Sequence, residues 1–200
     1  HVKDSLYLNQ TIAMLRIIPT PLAALRISGK WLLFCCLLIT FIPSSFSQAD
    51  MKKMNVLVYT RNGKGYIHKN VPYASKAIEE LGKKHGFSVT VADTPLVFTD
   101  ANLAKYNMLV FTSTNNDVFD NDDQRLVFRR YIESGGGFVG VHSVTGTERN
   151  WTWFKNMLGC TFSWHANNQE YVVRNIRPSH PSMKDVPLVW KKKDECYFGK

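Results

Sequence analysis

Short apolar runs separated by amphipathic stretches dominate residues 54–145 of the 200-residue chain. Four of these runs predict β-strands, at residues 54–60, 87–92, 107–112 and 138–141. Between them, apolar residues recur at helical spacing from Tyr73 to Leu81 and from Leu126 to Ile132. Strands that lack a polar face are typical of a parallel sheet covered on both sides. The order of elements therefore predicts an α/β fold with a mostly parallel sheet.

The pattern changes after residue 145. Residues 151–158 predict a helix packed through aromatic side chains, and residues 170–176 alternate like an edge or antiparallel strand. We expect the basic run Lys191–Lys193 to be a solvated turn. No closing element is evident before Lys200, so we expect the domain over residues 50–200 to be truncated at its C-terminus.

The N-terminal region has the order of a secretory signal peptide. Arg26 and Lys30 precede an apolar block at residues 31–43, and small residues follow it up to Ala49. We expect cleavage after Ala49, a secreted or periplasmic location, and no stable membrane association after cleavage. An uncleaved N-terminal anchor is the alternative interpretation.

The first residue is His1 rather than a methionine, and Met14 is a credible start of translation. Residues 1–49 are therefore interpreted as upstream residues and the signal peptide, and are left out of the fold prediction. Residues 50–200 are long enough for one domain with its own core.

Charge and cysteine content narrow the classes of partner. The chain carries 25 Lys and Arg against 16 Asp and Glu, a formal net charge of +9. The basic residues are dispersed and no nucleic-acid-binding motif is present, so we expect no nucleic-acid partner. Cys160 and Cys196 lie outside the signal peptide and have no metal-type C-x-x-C spacing, which leaves their pairing open.

The glycine-rich run Gly135–Ser143 carries the strongest chemical signal. Three glycines end a helix, and a short strand then ends on His142 and Ser143. Ligands of open α/β sheets bind outside the carboxyl ends of the strands. His68 follows the first strand and Asn115 follows the third, so these polar residues are expected at one edge, around a small-molecule site.

A Cys or Ser nucleophile occupies this kind of turn in glutamine amidotransferases and α/β-hydrolases. Here the matching position is His142. Ser143 lacks the flanking glycines of a nucleophile elbow, because Val141 and Thr145 stand two residues either side of it. The sequence therefore argues against thioester and acyl-serine mechanisms, and against a glutamine amidotransferase.

Histidines at such an edge leave two kinds of chemistry open. An imidazole can act as acid or base near neutral pH. Alternatively His68, His142 and His165, with Glu195, could bind a divalent metal ion. The structural alternative is that these histidines only bond loop carbonyls and that the tryptophans, Trp164 included, belong to the core.

Further short motifs accompany the glycine-rich run. They are Gly65–Lys69, Trp151–Phe154, His165, His180–Pro181, Trp190 and Asp194-Glu195-Cys196-Tyr197. Together with Gly135–Ser143 they resemble the ThuA-like (trehalose utilisation) family, from about residue 54 to the end of the chain. Two positions depart from the family pattern, Ala166 in place of a proline and Cys196 in place of an aromatic residue.

The resemblance implies a flavodoxin-like, class I glutamine amidotransferase-like three-layer sandwich without the amidotransferase nucleophile. It also implies a role in carbohydrate catabolism, on disaccharides such as trehalose or their 3-keto derivatives. By motif position, the polar site carried over from the family consists of His68, His142, His165 and Glu195.

Taken together, we expect an exported protein that acts on a small-molecule sugar. His142, His68 and Glu195 are the candidate catalytic residues, and the candidate substrate-binding residues are Ser143, Asn115, Trp164 and His165. A retaining glycosidase would need a second carboxylate beside Glu195, for which only Asp117 or Glu148 is available. The alternative is a non-catalytic carbohydrate-binding or accessory domain.

Overall fold

A computed structural model describes residues 50–200 of the chain. The predicted signal peptide and the cleavage site after Ala49 lie outside the described residues. Within residues 50–200, none of the helices combines the length and the apolar character that crossing a membrane requires.

Four parallel strands form the main sheet: β1 (Asn55–Tyr59), β2 (Ser88–Ala92), β3 (Met108–Thr112) and β4 (Gly137–Val141). Their order across the sheet is β2-β1-β3-β4. The helices are α1 (Val71–His85), the short α2 (Asp100–Leu103), α3 (Asp122–Glu133) and α4 (Thr152–Leu158). All four strands predicted from the apolar runs are confirmed, and so is the parallel α/β fold.

The sheet is covered on both faces, which gives three layers. Successive side chains of a strand point to opposite faces, so Leu57 and Tyr59 lie on one face and Val56 and Val58 on the other. On the first face they join an aromatic core with Phe128 of α3 and other buried rings. On the second face Ile78 of α1 packs against the valines.

Local sequence signals set the ends of the long helices. Asn121 caps α3, since its side-chain oxygen accepts a hydrogen bond from the Gln124 amide at 3.0 Å. Gly86 ends α1 in the left-handed conformation, with φ of 89°. Asn121 thus begins α3 after the loop that follows β3, and Gly86 ends α1 just before β2.

Two small antiparallel sheets follow the parallel sheet. One pairs β5 (Phe162–His165) with β8 (Tyr197–Gly199), and the other pairs β6 (Gln169–Arg174) with β7 (Val189–Asp194). The antiparallel strand expected near residues 170–176 is confirmed as β6.

The expected turn at Lys191–Lys193 is wrong, because these residues lie inside β7. Strand pairing with β6 places Lys191 diagonally across from Glu170, with 3.5 Å between Nζ and Oε1. Lys192 in turn pairs with Asp194 at 2.8 Å. Acidic neighbours therefore offset the repulsion between consecutive lysines.

Cys160 precedes β5 and Cys196 precedes β8, and both cysteines are free thiols. Cys196 lies opposite Ala166, whose amide donates to the Cys196 carbonyl, whereas Cys160 packs beside Gly199. Three residues of strand separate Cys196 from Gly199, about 10 Å at the rise of a β-strand. A disulfide requires Cα atoms within about 7 Å, so this register keeps the two thiols from pairing.

Candidate functional site

His142 lies immediately after β4, at the carboxyl edge of the sheet, and begins a single 3₁₀ turn over His142–Gly146. Its backbone φ is 55°, a left-handed conformation that is rare for residues other than glycine. Ser113 and Asn116, in the loop after β3, also have positive φ. Backbone strain of this kind concentrates at functional sites. His142 thus has the sharp backbone turn of a nucleophile elbow but carries an imidazole.

A cavity of about 680 Å³ opens at this edge, between the sheet loops and the β5–β8 sheet. Its lining includes six of the seven residues expected at the site: His68, Asn115, His142, Ser143, His165 and Glu195. The seventh, Trp164, does not line it. The topology therefore brings together side chains that are up to 127 positions apart in the sequence, from His68 to Glu195.

The two histidines from the sheet loops contact each other directly. His142 Nε2 lies 3.1 Å from His68 Nδ1, and the two rings are nearly perpendicular. Burial lowers the pKa of His68, repulsion from His142 lowers it further, and Glu195 opposes the shift. His68 is therefore favoured in its neutral form at physiological pH.

A neutral histidine pair of this geometry presents an acid and a base at once. Each neutral ring carries one N–H and one bare nitrogen, and one proton lies between Nε2 and Nδ1. Whichever ring donates that proton has a bare outer nitrogen, and the other ring has an outer N–H. Both tautomers of the pair thus offer one basic nitrogen and one proton donor.

Glu195, His165 and Tyr197 form a second polar group in the same lining. The Tyr197 hydroxyl donates to Glu195 Oε2, and His165 Nδ1 lies 3.8 Å from Glu195 Oε1. The hydrogen bond to Glu195, with burial second, raises the pKa of Tyr197 to about 12. The Tyr197 ring also meets the His142 ring edge-on, with 5.9 Å between centroids.

Hydrogen bonds of Asn115 and Ser143 connect the loops around the cavity to one another. Asn115 donates to the Tyr66 carbonyl at 3.3 Å and accepts from the Arg149 guanidinium at 3.1 Å. Ser143 donates from its hydroxyl to the Thr114 carbonyl at 3.1 Å. Their polar atoms are thus engaged in holding the site together.

Trp164 lies on the other face of β5 from His165, as neighbouring residues of a strand must. Its ring stacks on Phe198, with centroids 4.4 Å apart and an interplanar angle of 11°. Both rings are about half exposed, at 54% and 42%. The structure therefore places the expected sugar-stacking tryptophan outside the cavity.

Glu148 has a structural role that the sequence did not reveal. It is 2% exposed, and its Oε1 accepts from the amides of Val118 and Phe119 at 2.8 and 3.2 Å. Its Oε2 pairs with Arg125 at 2.8 Å. Neither Glu148 nor the exposed Asp117 lines the cavity, which leaves Glu195 as its one carboxylate among residues 50–200.

The possible metal ligands do not converge on one point. Across residues 50–200, no three His, Cys, Asp or Glu side chains are placed to hold a metal ion together. The four candidates instead form two pairs, His68 with His142 and His165 with Glu195. The donor set therefore does not fit a divalent metal site built from these four residues.

Nine lining residues were not among the candidates, and Tyr66, Arg149, Phe162 and Tyr197 are four of them. Tyr66 and Tyr197 lie within motifs that carried the resemblance, next to His68 and Glu195, so their positions were within reach of the sequence. Arg149 and Phe162 belong to no motif. They reach the site through the turns after β4 and through the β5–β8 pairing.

The fold and the sharp turn at His142 define a class of protein. It is a flavodoxin-like α/β protein with an imidazole at the turn where related folds carry the thiol or hydroxyl of a nucleophile. A crystal structure of a ThuA-like protein from Bacteroides uniformis matches with a TM-score of 0.63 and 23% identity, over 78% of this chain and 64% of that one. A ThuA-like protein from Parabacteroides merdae matches with a TM-score of 0.55 and 20% identity, over 72% and 62%. At such identities the likeness concerns the fold alone.

The family model described as ThuA, trehalose utilisation, matches residues 55–200. The chain therefore belongs to the ThuA family, as its motifs predicted. It spans less than two thirds of the length of the two crystallised ThuA-like proteins. The comparison with curated protein sequences finds no match.

Proposed function

We propose that this chain processes a sugar, a disaccharide of the trehalose type or its 3-keto derivative, by acid–base chemistry at His142 and His68. The observation that carries the proposal is the 3.1 Å contact between His142 Nε2 and His68 Nδ1 inside the cavity. Family membership supports the sugar class. The histidine pair would supply the base and the acid that the reaction needs.

The reaction that suits this pair is elimination from a 3-keto glycoside. The carbonyl at the sugar's C3 acidifies the proton on C2. The bare imidazole nitrogen takes that proton, the electron pair forms a C1–C2 double bond, and the bond from C1 to the glycosidic oxygen breaks. The outer N–H of the partner ring protonates the departing oxygen. Addition of water across the double bond then completes a net hydrolysis.

Direct glycoside hydrolysis by paired carboxylates is less well supported. That chemistry places two carboxyl groups on either side of the scissile bond, about 5–10 Å apart. The described lining offers only Glu195. Glu148 lies outside it, and its two oxygens already bind Arg125 and backbone amides. Glu195, held by Tyr197, would instead orient the substrate.

Aromatic side chains at the cavity suit a pyranose ring, whose apolar face packs on aromatic surfaces. Tyr66 is 66% exposed at the rim, and its ring meets His68 edge-on at 4.9 Å. Phe162 and Tyr197 lie in the opposite wall, 6.0 Å apart between centroids. A small-molecule sugar, bound between Tyr66 and this wall, would present its reacting carbons to the histidine pair.

The proposal includes export. The basic, apolar and small-residue order before Asp50 supports a signal peptide with cleavage after Ala49, which would place the protein in the periplasm or outside the cell. There it would meet disaccharides from the surroundings, with no nucleic acid among its partners. The N-terminal sequence of the protein purified from the native host would test this part.

Turnover assays test the catalytic proposal. The protein is incubated with trehalose and with 3-keto-trehalose, and products are followed by NMR for wild type, His142→Ala and the control His85→Ala, which alters an exposed histidine at the end of α1. We expect cleavage of the keto sugar by wild type and His85→Ala, and a loss of at least about 100-fold in His142→Ala.

Absence of product from either sugar, with folded protein, would overturn the catalytic proposal. Binding of the same sugars without turnover would instead support the alternative of a carbohydrate-binding or accessory domain. Turnover unaffected by His142→Ala would place the chemistry elsewhere in the molecule.

A further inference from the structure

Arg149 is a cation in the cavity lining that the proposed reaction does not use. Its Nε donates to the Gly146 carbonyl at 3.0 Å, and its Nη2 donates to Asn115 Oδ1 at 3.1 Å. The guanidinium also lies over the Phe162 ring, with 5.6 Å from Cζ to the ring centroid. Three contacts on different sides thus fix its orientation.

The guanidinium of Arg149 has N–H donors available to bind a further group. It has five N–H donors, and the two hydrogen bonds leave three of them free. Four other arginines pair with carboxylates within residues 50–200, namely Arg61, Arg125, Arg129 and Arg130. No carboxylate in that part of the chain pairs with Arg149. The nearest acidic member of the lining, Glu195, already accepts from Tyr197.

We infer that Arg149 forms a subsite for a carboxylate group carried by the sugar, so that the cavity prefers acidic sugars over neutral ones. This inference rests on the proposed sugar-binding function and adds a carboxylate group to the disaccharide proposed as substrate. A guanidinium matches the two oxygens of a carboxylate with parallel N–H donors. The position of Arg149 in the same cavity as His142 would orient the sugar ring relative to the histidine pair.

A phosphate group fits the subsite less well than a carboxylate. A phosphate monoester carries nearly two negative charges at neutral pH, and proteins meet them with several cations or backbone amides. The described lining contains no lysine and no second arginine. One oriented guanidinium balances the single charge of a carboxylate.

The test is a binding titration with a matched pair of probes, methyl glucuronide and methyl glucoside, which differ only in the carboxylate. Glucose 6-phosphate is the third probe. Calorimetry on wild type at low and high salt needs no turnover and no variant. We expect the glucuronide to bind about tenfold more tightly than the glucoside, a difference of about 1.4 kcal/mol that shrinks as salt rises.

Variants then assign the preference to Arg149. Arg149→Gln is expected to bind both probes equally. Arg149→Lys is expected to keep part of the preference, since it keeps the positive charge but loses the parallel N–H donors of the guanidinium. Arg129→Gln is the matched control, because Arg129 also lies 5.6 Å from an aromatic centroid, that of Trp153, outside the cavity lining. It is expected to behave as wild type.

Equal binding of glucuronide and glucoside by wild type would overturn the inference, as would a preference that survives in folded Arg149→Gln. Tighter binding of glucose 6-phosphate than of glucuronide would overturn the assignment to a carboxylate. The proposed reaction is judged separately, by turnover: a glucuronide preference without turnover would leave the subsite standing and remove the reaction, and turnover without a preference would do the reverse.

Discussion

His142 and His68 are 74 positions apart in the sequence, yet His142 Nε2 and His68 Nδ1 lie 3.1 Å from each other. One ring follows β4 and the other follows β1, and β3 lies between these two strands in the sheet. The contact therefore joins two loops across the carboxyl edge of the sheet. Each imidazole is the hydrogen-bond partner of the other, and repulsion from His142 contributes to the lowered pKa of His68.

The lowered pKa of His68 predicts a pH-dependent stability. An unfolded histidine titrates near pH 6.5, so below about that pH the unfolded state binds more protons than the folded state. The free energy of unfolding should therefore fall as the pH drops below about 6.5 and level off at higher pH. Urea denaturation at a series of pH values measures this slope.

His68→Gln is expected to reduce that slope, because it removes the group whose pKa changes on folding. His85→Gln, at the exposed end of α1, serves as the control and should keep the wild-type slope. A slope in His68→Gln equal to that of wild type would show that His68 does not contribute to it.

Gly140 packs closely against Val144 in the turn that begins at His142, so we expect no side chain to fit at this position without strain. A Cβ on Gly140 would lie 2.3 Å from Val144 Cγ1, in the turn that begins with His142. Gly140→Ala should destabilise the protein by about 1–3 kcal/mol. It should also displace His142, and a shift of about 1 Å at a catalytic group can lower turnover about 100-fold.

The Val144→Ala background provides the control for this clash. If the valine methyl group is what Gly140→Ala meets, the added alanine should cost much less stability in Val144→Ala than in wild type. Thermal unfolding of the four proteins completes the double-mutant cycle. Strictly additive effects of the two substitutions would contradict the predicted contact.

The buried carboxylate of Glu148 predicts a large loss of stability on substitution. Glu148→Gln leaves Arg125 without its buried partner, which should cost about 3 kcal/mol, at the lower end for broken buried pairs because Arg125 is partly exposed. The matched control Glu80→Gln breaks an exposed pair with Lys76 and should cost less than about 0.5 kcal/mol. Similar urea midpoints for the two variants would rule out the structural role of Glu148.

The parallel sheet was predictable because its two central strands are buried. The β1 and β3 segments are nearly all apolar, and such runs between amphipathic helices leave few alternatives. Strands β5, β7 and β8 were not predicted, since most of their residues are exposed and their pairing partners are distant in the sequence. The lysine run Lys191–Lys193 led to the prediction of a turn, although these residues lie in β7 beside acidic neighbours.

The histidine pair was within reach of the sequence because topology alone places residues after β1 and β4 at one edge. Arg149 was not, because its position depends on the left-handed backbone of Glu148, whose φ is 47°. Trp164 and His165 were both expected at the site, although adjacent residues of a strand face opposite ways. Because β5 was not predicted as a strand, this alternation could not be used to separate the two residues.

Proton exchange at the sugar's C2 tests the histidine pair most directly. A 3-keto glucoside is incubated in D₂O with wild type, His142→Gln or His85→Gln, and loss of the C2 proton signal is followed by NMR. Acid–base chemistry at His142 and His68 predicts enzyme-dependent exchange in wild type and His85→Gln, and exchange at the uncatalysed rate in His142→Gln. Exchange in wild type no faster than in buffer, or unchanged exchange in folded His142→Gln, would contradict the central claim.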